Sequence, residues 1–379
     1  MTNSTISTAA ASAPRSAEGR DDQVYRIAVL PGDGIGPEVI EAAIPLLEKL
    51  CRKQSFRFEW NEHPAGAQHY QATGEALPDA TLEASRAADA ILFGAMGWPA
   101  IRYPDGTEIA PQLDLRVALE LYAGVRPARA IPGTPPVLAD PRAAGIDLVV
   151  IRESTEGLFA SRGKGTIVDD REASDTMVIT RAGSERLHDF SFRLAQRRKR
   201  RGSPGRLTCV DKANVFRSMA FFRKIFDERA RQFPDVEARH HYIDATALDL
   251  IRKPWDFDVI VTENMFGDIL SDEAAALIGG MGMAPSADIG DHHGLFQPCH
   301  GSAPDIAGQG KANPTAMILS AAMMLDWLAE RSGDESLARA SVRLEHAVDA
   351  VFASGRIKPY EFGGTDGTHV IASAVAAEL

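Results

Sequence analysis

FDVIVTENMFGDILSDEAA (residues 257–275) joins a short apolar run to a segment with helical spacing. The run FDVIVT has the length of a buried strand, and residues 265–276 are predicted to form a helix. The same succession recurs along the chain, where apolar runs alternate with helical segments such as 38–52 and 314–330. The other runs are YRIAVL (25–30), AILFGA (90–95), IDLVVI (146–151) and RLTCV (206–210). This alternation predicts an α/β fold with a mostly parallel sheet.

Two carboxylates lie in the helical half of that stretch. Asp268 and Asp272 are four residues apart, so they share one face of the predicted helix near its start. Acidic residues at such a position commonly serve only as capping or helix-dipole partners. A pair preceded by Asn264 and a glycine is also able to hold a hard divalent cation through its oxygens. The spacing alone leaves both interpretations open.

Composition narrows the class of protein. The chain has 379 residues, a length that predicts about two lobes. Its formal net charge of −11 argues against a nucleic-acid surface. A local basic run, RRKRR (197–201), is predicted to be the solvated C-terminal turn of an amphipathic helix. Three widely separated cysteines fit a reducing compartment, so we expect a cytoplasmic protein. No apolar run is long enough for a membrane span, and residues 1–22 are predicted to be a disordered tail.

A glycine-rich turn, LPGDGIGPEVI (30–40), follows the first predicted strand and leads into a helix. Turns of this kind often present backbone N–H groups to a phosphate. The spacing does not match G-x-G-x-x-G, so a classical Rossmann fold is not supported. A tight turn that needs the φ range of glycine remains an equally good explanation.

Three arginines stand at the ends of predicted elements. Arg116 and Arg126 flank the helix-like segment DLRVALELYAGVRP, and Arg152 follows the apolar run 146–151. Because guanidinium groups bind carboxylates through two hydrogen bonds, the three together could clamp a di- or tricarboxylic acid. Each of them taken alone is more often part of a surface ion pair.

Two further charged residues follow strand-like runs. Lys212, in CVDKANVF, stands where strand ends build sites in α/β folds, and a lysine in a dry or cationic pocket can act as a base. Taken alone, it is read first as a surface lysine. Asp244, in HHYIDATALDL, begins another predicted helix and is more often an N-cap than a metal ligand.

Eight motifs, taken in their order, resemble the β-decarboxylating dehydrogenases of the isocitrate/isopropylmalate dehydrogenase family. The resemblance covers residues 25–379. The motifs are PGDGIGPEV (31–39), LDLRVALELYAGVRP (113–127), IRESTEG (151–157), VDKANVF (210–216), YIDA (242–245), NMFGDILSDEAA (264–275), PSADIG (285–290) and HGSAPDIAGQGKANP (300–314).

The resemblance implies an isopropylmalate dehydrogenase-like, two-lobed subunit. Residues 23–121 and 279–379 would form the cofactor-binding lobe, and residues 122–278 the lobe that carries the substrate, the metal and the homodimer interface. Each active site would be shared between two subunits. Lys212 and Asp244 would reach the substrate of the partner subunit, whereas Asp268 and Asp272 would act in their own.

The resemblance also implies the chemistry. Mg²⁺ or Mn²⁺ would be held by Asp244, Asp268 and Asp272, and Lys212 would receive the hydroxyl proton while hydride passes to NAD and CO₂ is then lost. The substrate would be bound by Arg116, Arg126, Arg152 and Gln112. The adenosine part of the cofactor would be bound by His300, Gly301, Ser302, Ala303, Asp305 and Asn313. A carboxylate at Asp305 would repel a 2′-phosphate, so we predict NAD rather than NADP.

The chain departs from the family pattern at several positions. Phe159 replaces a tyrosine that assists protonation of the enolate, and phenylalanine has no proton to give. Gly124 stands where an asparagine is usual, and Gln297 where a glutamate is usual. Gln112 stands four residues before Arg116, where isopropylmalate enzymes present an apolar residue. A polar side chain there would suit a polar substituent on the substrate.

The substrate is therefore predicted from conflicting signals. The C-terminal third favours 3-isopropylmalate. Gln112 favours a polar acid such as isocitrate, although Ala110 replaces the serine used for its γ-carboxylate, and residues 97–99, GWP, resemble the tartrate and D-malate group. The alternative outside enzymes is a regulatory subunit of a hetero-oligomeric dehydrogenase, which would be expected to lose the metal-binding and base residues kept here.

Overall fold

The computed structural model describes residues 23–52, 54 and 56–379, so the tail predicted for residues 1–22 lies outside the described residues. Helices and strands alternate along the described chain. The strands are β1 (Gln23–Gly32), β2 (Phe56–Glu62), β3 (Ala90–Ala95), β4 (Ala123–Arg129), β5 (Asp147–Glu153), β6 (Thr166–Val168), β7 (Glu172–Ser174), β8 (Arg206–Asp211), β9 (Glu237–Tyr242), β10 (Val259–Thr262), β11 (Pro285–Ile289) and β12 (Gly294–Pro298). The helices are α1 (Gly36–Cys51), α2 (Ala67–Thr73), α3 (Asp79–Ala87), α4 (Pro111–Ala118), α5 (Arg181–Arg200), α6 (Arg217–Ala230), α7 (Ile243–Arg252), α8 (Asn264–Leu277), α9 (Thr315–Ser332), α10 (Glu335–Ala353) and α11 (Thr368–Glu378).

Ten of these strands form one sheet in the order β2-β1-β3-β12-β11-β4-β5-β10-β8-β9. The pairs at both ends of the sheet are parallel. Strand β11 runs antiparallel to both of its neighbours, and β4 runs antiparallel to β5. The prediction of a mostly parallel α/β sheet is confirmed, with the antiparallel pairs confined to the middle.

The sheet is buried on both faces where the sequence is most apolar. All residues of β3 and β10 are buried, as expected for parallel strands that are covered by helices on each side. Helix α9 packs on β11 and β12, and α5 packs on α6 and β10. The predicted lobe boundaries fall between α4 and β4 and between α8 and β11, and the sheet is continuous across both.

The prediction of a helix-like segment through DLRVALELYAGVRP is wrong in its second half. Helix α4 ends at Ala118, and Glu120 adopts a left-handed backbone conformation with φ 53°. The chain then enters β4, so Arg126 lies on a strand. Strand β4 pairs with β5 on one side and β11 on the other, and this pairing overrides the local helical spacing.

The basic run 197–201 ends an amphipathic helix as predicted, but it is not simply solvated. The side chain of Arg198 is only 15% exposed, and its Nε donates to Asp258 Oδ1 at 2.7 Å. Arg201 pairs with Asp326 at 2.7 Å. Carboxylates that are distant in sequence pair with three of its arginines, Arg197, Arg198 and Arg201, and the local pattern contained no information about them. None of the described helices is long and apolar enough to cross a membrane.

Candidate active site

Three buried arginines meet around one buried carboxylate at the centre of the sheet. Arg116, Arg126 and Arg152 are each at most 6% exposed. Arg116 and Arg126 both reach Asp288, whose side chain is fully buried, with nitrogen to oxygen distances of 3.1 Å. The structure therefore brings together the three arginines that the sequence analysis proposed as a clamp. We call them the arginine cluster.

Strand register places these groups on one face. Gly124 on β4 lies opposite Arg152 on β5 and opposite Asp288 on β11. Cross-strand partners share a face, and Arg126, two residues from Gly124, points the same way. The side chain of Arg116 arrives from the last turn of α4. An unbroken antiparallel ladder across three strands thus fixes the arginine cluster.

Burial and neighbouring charges shift the pKa values of Asp288 and Arg152 in the arginine cluster. Burial alone would raise the pKa of Asp288, but the positive charges of Arg116 and Arg126 outweigh it and lower that pKa below its usual range. Burial and the charge of Arg116 together lower the pKa of Arg152 to about 10, although Asp268 opposes the shift. The cluster therefore carries more positive charge than Asp288 neutralises.

Helix α8 brings the paired acids to the arginine cluster. Asp268 forms an ion pair with Arg152, and Arg152 Nε also donates to Asn264 Oδ1 at 2.9 Å. The helix begins at Asn264 because the Glu263 carboxylate accepts from the first free N–H groups. A Cβ on Gly267 would lie 2.6 Å from the Arg152 side chain, so only glycine allows this approach.

Asp268 and Asp272 lie together on α8, as their spacing predicted. Burial raises the pKa of the Asp272 carboxyl, and the charge of Asp268 raises it further. A cation between the two acids would relieve this repulsion, so the pair fits a hard divalent ion. Within the part of the chain that the structure describes, no third histidine, cysteine or acid completes a metal-binding group with them.

Lys212 and Asp244 form a separate pair. Lys212 directly follows β8, and its Nζ lies 2.6 Å from Asp244 Oδ1. Asp244 lies in the first turn of α7 and is not its N-cap, which is Tyr242. The Lys212 ammonium lowers the pKa of Asp244 through a hydrogen bond. The described contacts do not join this pair to Asp268 or Asp272 of the same chain.

The glycine-rich turn is explained by its own conformation. Gly32 and Gly34 have φ values of 76° and 60°, in the region that favours glycine. The buried Asp33 carboxylate accepts from three backbone N–H groups, two at the start of α2 (residues 67 and 68) and one at residue 97. The Ile35 N–H donates to the Ser302 carbonyl at 2.8 Å. The turn thus supports the loop that carries the predicted cofactor residues.

That loop, residues 299–314, connects β12 to α9. His300 Nδ1 lies 2.9 Å from the Gly301 carbonyl, while its Nε2 is buried without a hydrogen-bond partner among the described residues. Ser302 Oγ donates to the Gly97 carbonyl, Ala303 has φ 39°, and Asp305 is exposed. Asn313 is engaged structurally, because its Oδ1 accepts from Thr315 N–H at 3.1 Å at the start of α9.

Gln112 lies one turn before Arg116 on α4. Its Oε1 is buried, and it has no hydrogen-bond partner in the described part of the chain. Arg116 Nε is buried and unpartnered in the same way. Buried polar atoms are normally hydrogen-bonded, so these two atoms indicate a ligand position beside α4. Phe159 lies over Arg152, with 4.8 Å between the guanidinium carbon and the ring centroid.

The sequence analysis missed Asp288 as a site residue and gave Gln297 only as a departure. Gln297 Nε2 donates to Asp288 Oδ2 at 2.8 Å. The available signal was the acid itself, because an aspartate in a strand buried on both faces requires a charged partner. The motif PSADIG contained it, but the strand partners that explain it are distant in sequence.

Comparison with known proteins identifies the family of this chain. Residues 26–378 match the model of the isocitrate/isopropylmalate dehydrogenase family. The chain is 43% identical to a 3-isopropylmalate/3-methylmalate dehydrogenase of Methanocaldococcus jannaschii, over 94% of this chain and 99% of that protein. It is 42% identical to a 3-isopropylmalate dehydrogenase of Moorella thermoacetica, over 94% of this chain and 98% of that one.

The fold is similar to that of a solved relative. An isocitrate dehydrogenase from Methylococcus capsulatus superposes with a TM-score of 0.82 and 38% identity, over 93% of this chain and 99% of that one. The resemblance drawn from the motifs is confirmed. The prediction of an enzyme is also confirmed, in preference to the regulatory-subunit alternative. The chain belongs to the isocitrate/isopropylmalate dehydrogenase family and is a β-decarboxylating dehydrogenase.

Proposed function

We propose that the chain catalyses the NAD- and divalent-metal-dependent oxidative decarboxylation of 3-isopropylmalate. The observation that carries this proposal is the arginine cluster, in which two buried guanidinium groups share the Asp288 carboxylate and the third pairs with Asp268 of the paired acids. A dianionic substrate supplies the missing negative charge. The names of the relatives support the isopropyl-bearing acid as the substrate.

The metal would be held by Asp268 and Asp272, together with Asp244 from a second subunit. Oxygen ligands on one helix face and the raised pKa of Asp272 support a hard cation such as Mg²⁺ or Mn²⁺. When bound, the ion acidifies the substrate hydroxyl and polarises the carbonyl formed by oxidation. Asp268 would exchange its ion pair with Arg152 for the metal, which releases Arg152 to bind a substrate carboxylate.

Lys212 of the second subunit would accept the hydroxyl proton. Its amine is already hydrogen-bonded to Asp244 at 2.6 Å, so the second subunit would deliver the base and a metal ligand side by side. The hydride on C2 then passes to NAD, and the β-carboxylate leaves as CO₂ with its bonding electrons left in an enolate. Arg116, Arg126 and Arg152 would hold the carboxylates in line for both steps.

A homodimer is the assembly that completes this site. Helices α7 and α8, which carry the three acids, also expose large apolar side chains. These are Leu248, Ile251, Met265 and Ile269. Exposed apolar side chains clustered on two packed helices support an interface, because such patches are usually covered in the assembled protein. The charge pattern gives no support to a nucleic-acid partner.

NAD is proposed over NADP because of Asp305. An exposed carboxylate in the loop 299–314 is able to accept hydrogen bonds from ribose hydroxyls and repels a 2′-phosphate. Asp305→Lys should gain NADP use at the expense of NAD, measured as the ratio of the two kcat/KM values. An unchanged preference would remove the charge argument.

A second candidate substrate rests on Gln112. Its buried oxygen without a partner would accept a hydrogen bond from a hydroxyl substituent, which favours tartrate, and a flipped amide would donate to a carboxylate substituent. D-malate, which has no substituent at that carbon, would leave Gln112 unsatisfied.

One experiment separates these candidates. The purified protein is given NAD and Mn²⁺ with 3-isopropylmalate, D-malate, tartrate, isocitrate or homoisocitrate, and NADH and CO₂ are read separately. We expect the highest kcat/KM with 3-isopropylmalate. A higher value with tartrate would transfer the assignment to the second candidate, and no NADH with any acid would refute the proposed function.

A further inference from the structure

The surroundings of Asp288 are built to accept a fixed negative charge. A Cβ added to Gly124 would lie 2.7 Å from Ser154 Oγ and 3.2 Å from Asp288 Oδ1, so the missing side chain leaves room for the carboxylate. Gln297 donates its amide to the other carboxylate oxygen at 2.8 Å. A glutamate at position 297 would instead set one carboxylate against another.

These two positions are also departures from the family pattern. A larger residue at position 124 would crowd Asp288, and an acid at position 297 would repel it. The Asp288 carboxylate is therefore compatible with both departures, Gly124 and Gln297. Asp288 Oδ1 is also 3.5 Å from Ser154 Oγ, so all the described polar neighbours of the carboxylate are donors or cations.

Asp288 changes the charge that the arginine cluster offers to a substrate. Once Asp268 has left Arg152 for the metal, as proposed above, three guanidinium groups and the Asp288 carboxylate leave a surplus of two positive charges. That surplus matches the two carboxylates of a dicarboxylic acid. A third substrate carboxylate near α4 would find Arg116 already paired with Asp288, and it would meet the uncharged amide of Gln112 one turn away.

We infer that Asp288 restricts the substrate to dicarboxylic 2-hydroxy acids, because it neutralises the positive charge that a third substrate carboxylate would need. This inference rests on the proposed function, and it names the substrate class more narrowly. Asp288 acts through Arg116 and Arg126, so it is a positioning and specificity residue, not a catalytic one. Like-charge juxtaposition in a buried site is an effective way to exclude a wrong ligand.

The test compares di- and tricarboxylic substrates in Asp288→Asn. The amide keeps the shape and removes the charge. With NAD and Mn²⁺, the ratio of kcat/KM for 3-isopropylmalate to that for isocitrate should fall by at least about 10-fold. The change should come mainly from a lower KM for isocitrate, which general destabilisation would not produce. The matched control is Asp258→Asn, because Asp258 is equally buried and bound to Arg198 but lies outside the cluster.

Binding to the unaltered protein gives a second measurement that does not depend on a variant folding. Succinate and tricarballylate lack the reactive hydroxyl, and their dissociation constants are read by calorimetry in the presence of Mn²⁺. We expect succinate to bind more tightly despite its smaller charge. Tighter binding of tricarballylate, or an unchanged substrate ratio in Asp288→Asn, would overturn the inference while NADH formation from 3-isopropylmalate still upheld the proposed function. An absence of NADH with every acid would overturn both.

Discussion

Two regions of this molecule are rich in arginine but differ in how many carboxylates pair with those arginines. In the basic run, three arginines are matched by four carboxylates: Arg197 pairs with Glu330 and Asp326, Arg198 with Asp258 and Asp147, and Arg201 with Asp326. In the arginine cluster, Asp288 serves two arginines, and the third borrows Asp268 from the paired acids. Unmatched buried charge, and not the number of arginines, distinguishes a binding site from a structural network.

The difference has an energetic cause. A buried charge without a partner is costly, so a fold that keeps a surplus must regain the free energy elsewhere. Arg152 shows the cost directly, because burial and the neighbouring Arg116 lower its pKa to about 10. A bound dianion would remove that penalty. The basic run has no comparable deficit, and we assign it only a structural role, which is to join α5 to α9 and to the region of β5 and β10.

The largest contrast should come from removing one arginine from each region. Arg126→Met leaves Asp288 buried and half-paired, so we expect a loss of about 3 to 5 kcal/mol in the free energy of unfolding. Activity should fall by about 10³-fold or more, because substrate binding is lost as well. Arg201→Met removes an ion pair whose arginine is 61% exposed and should cost less than about 1 kcal/mol, with unchanged activity.

Urea unfolding and NADH formation measure these two effects. Equal stability losses in Arg126→Met and Arg201→Met, or a normal kcat/KM in Arg126→Met, would break the distinction between the regions.

Much of the fold and of the candidate site was predictable from the sequence. The features that were not predictable share one cause, which is pairing between segments distant in sequence. Strands β3, β5, β8 and β10 were found because parallel strands buried on both faces are apolar throughout. The segment AGVRPAR of β4 lacks that signature, since its extended state comes from partners on both sides. The arginine cluster was recognisable from residue type and position, whereas Asp288 depends on register between distant strands. The partners of the basic run were hidden for the same reason.

A second contrast is between Phe159, whose ring packs over Arg152, and the tyrosine that the family pattern has at this position. Phe159 covers that guanidinium but offers no proton, so protonation of the enolate must rely on water or another donor. We expect NADH and CO₂ to form together in a burst ahead of later turnovers, because both products are made before the slow protonation of the enolate. Phe159→Tyr should speed the late step by up to about 10²-fold, as a positioned general acid does.

Stopped-flow NADH absorbance and CO₂ detection in the same run test this expectation. A burst-free time course for both products, or no change in Phe159→Tyr, would count against a slow protonation. Phe159→Leu is the control, because it alters the contact with Arg152 without adding a proton.

The smallest contrast is the response to an unreactive dianion. Malonate at 10 times its dissociation constant should stabilise the protein by about 1.4 kcal/mol. Arg152→Met should lose this stabilisation, and Arg197→Met should keep it, since Arg197 is already paired with Glu330. Thermal unfolding with and without malonate measures both. An equal loss in the two variants would mean that the anion is bound by general surface charge.

In the proposed homodimer, each active site takes Asp268 from one chain and Lys212 from the other. Lys212→Met and Asp268→Asn are each expected to be inactive as homodimers. Co-expression with two affinity tags isolates the heterodimer, in which one site has both native residues and the other has neither. We predict that this heterodimer recovers about half of the native NADH formation rate. A heterodimer as inactive as its parents would contradict the shared site and the mechanism built on it.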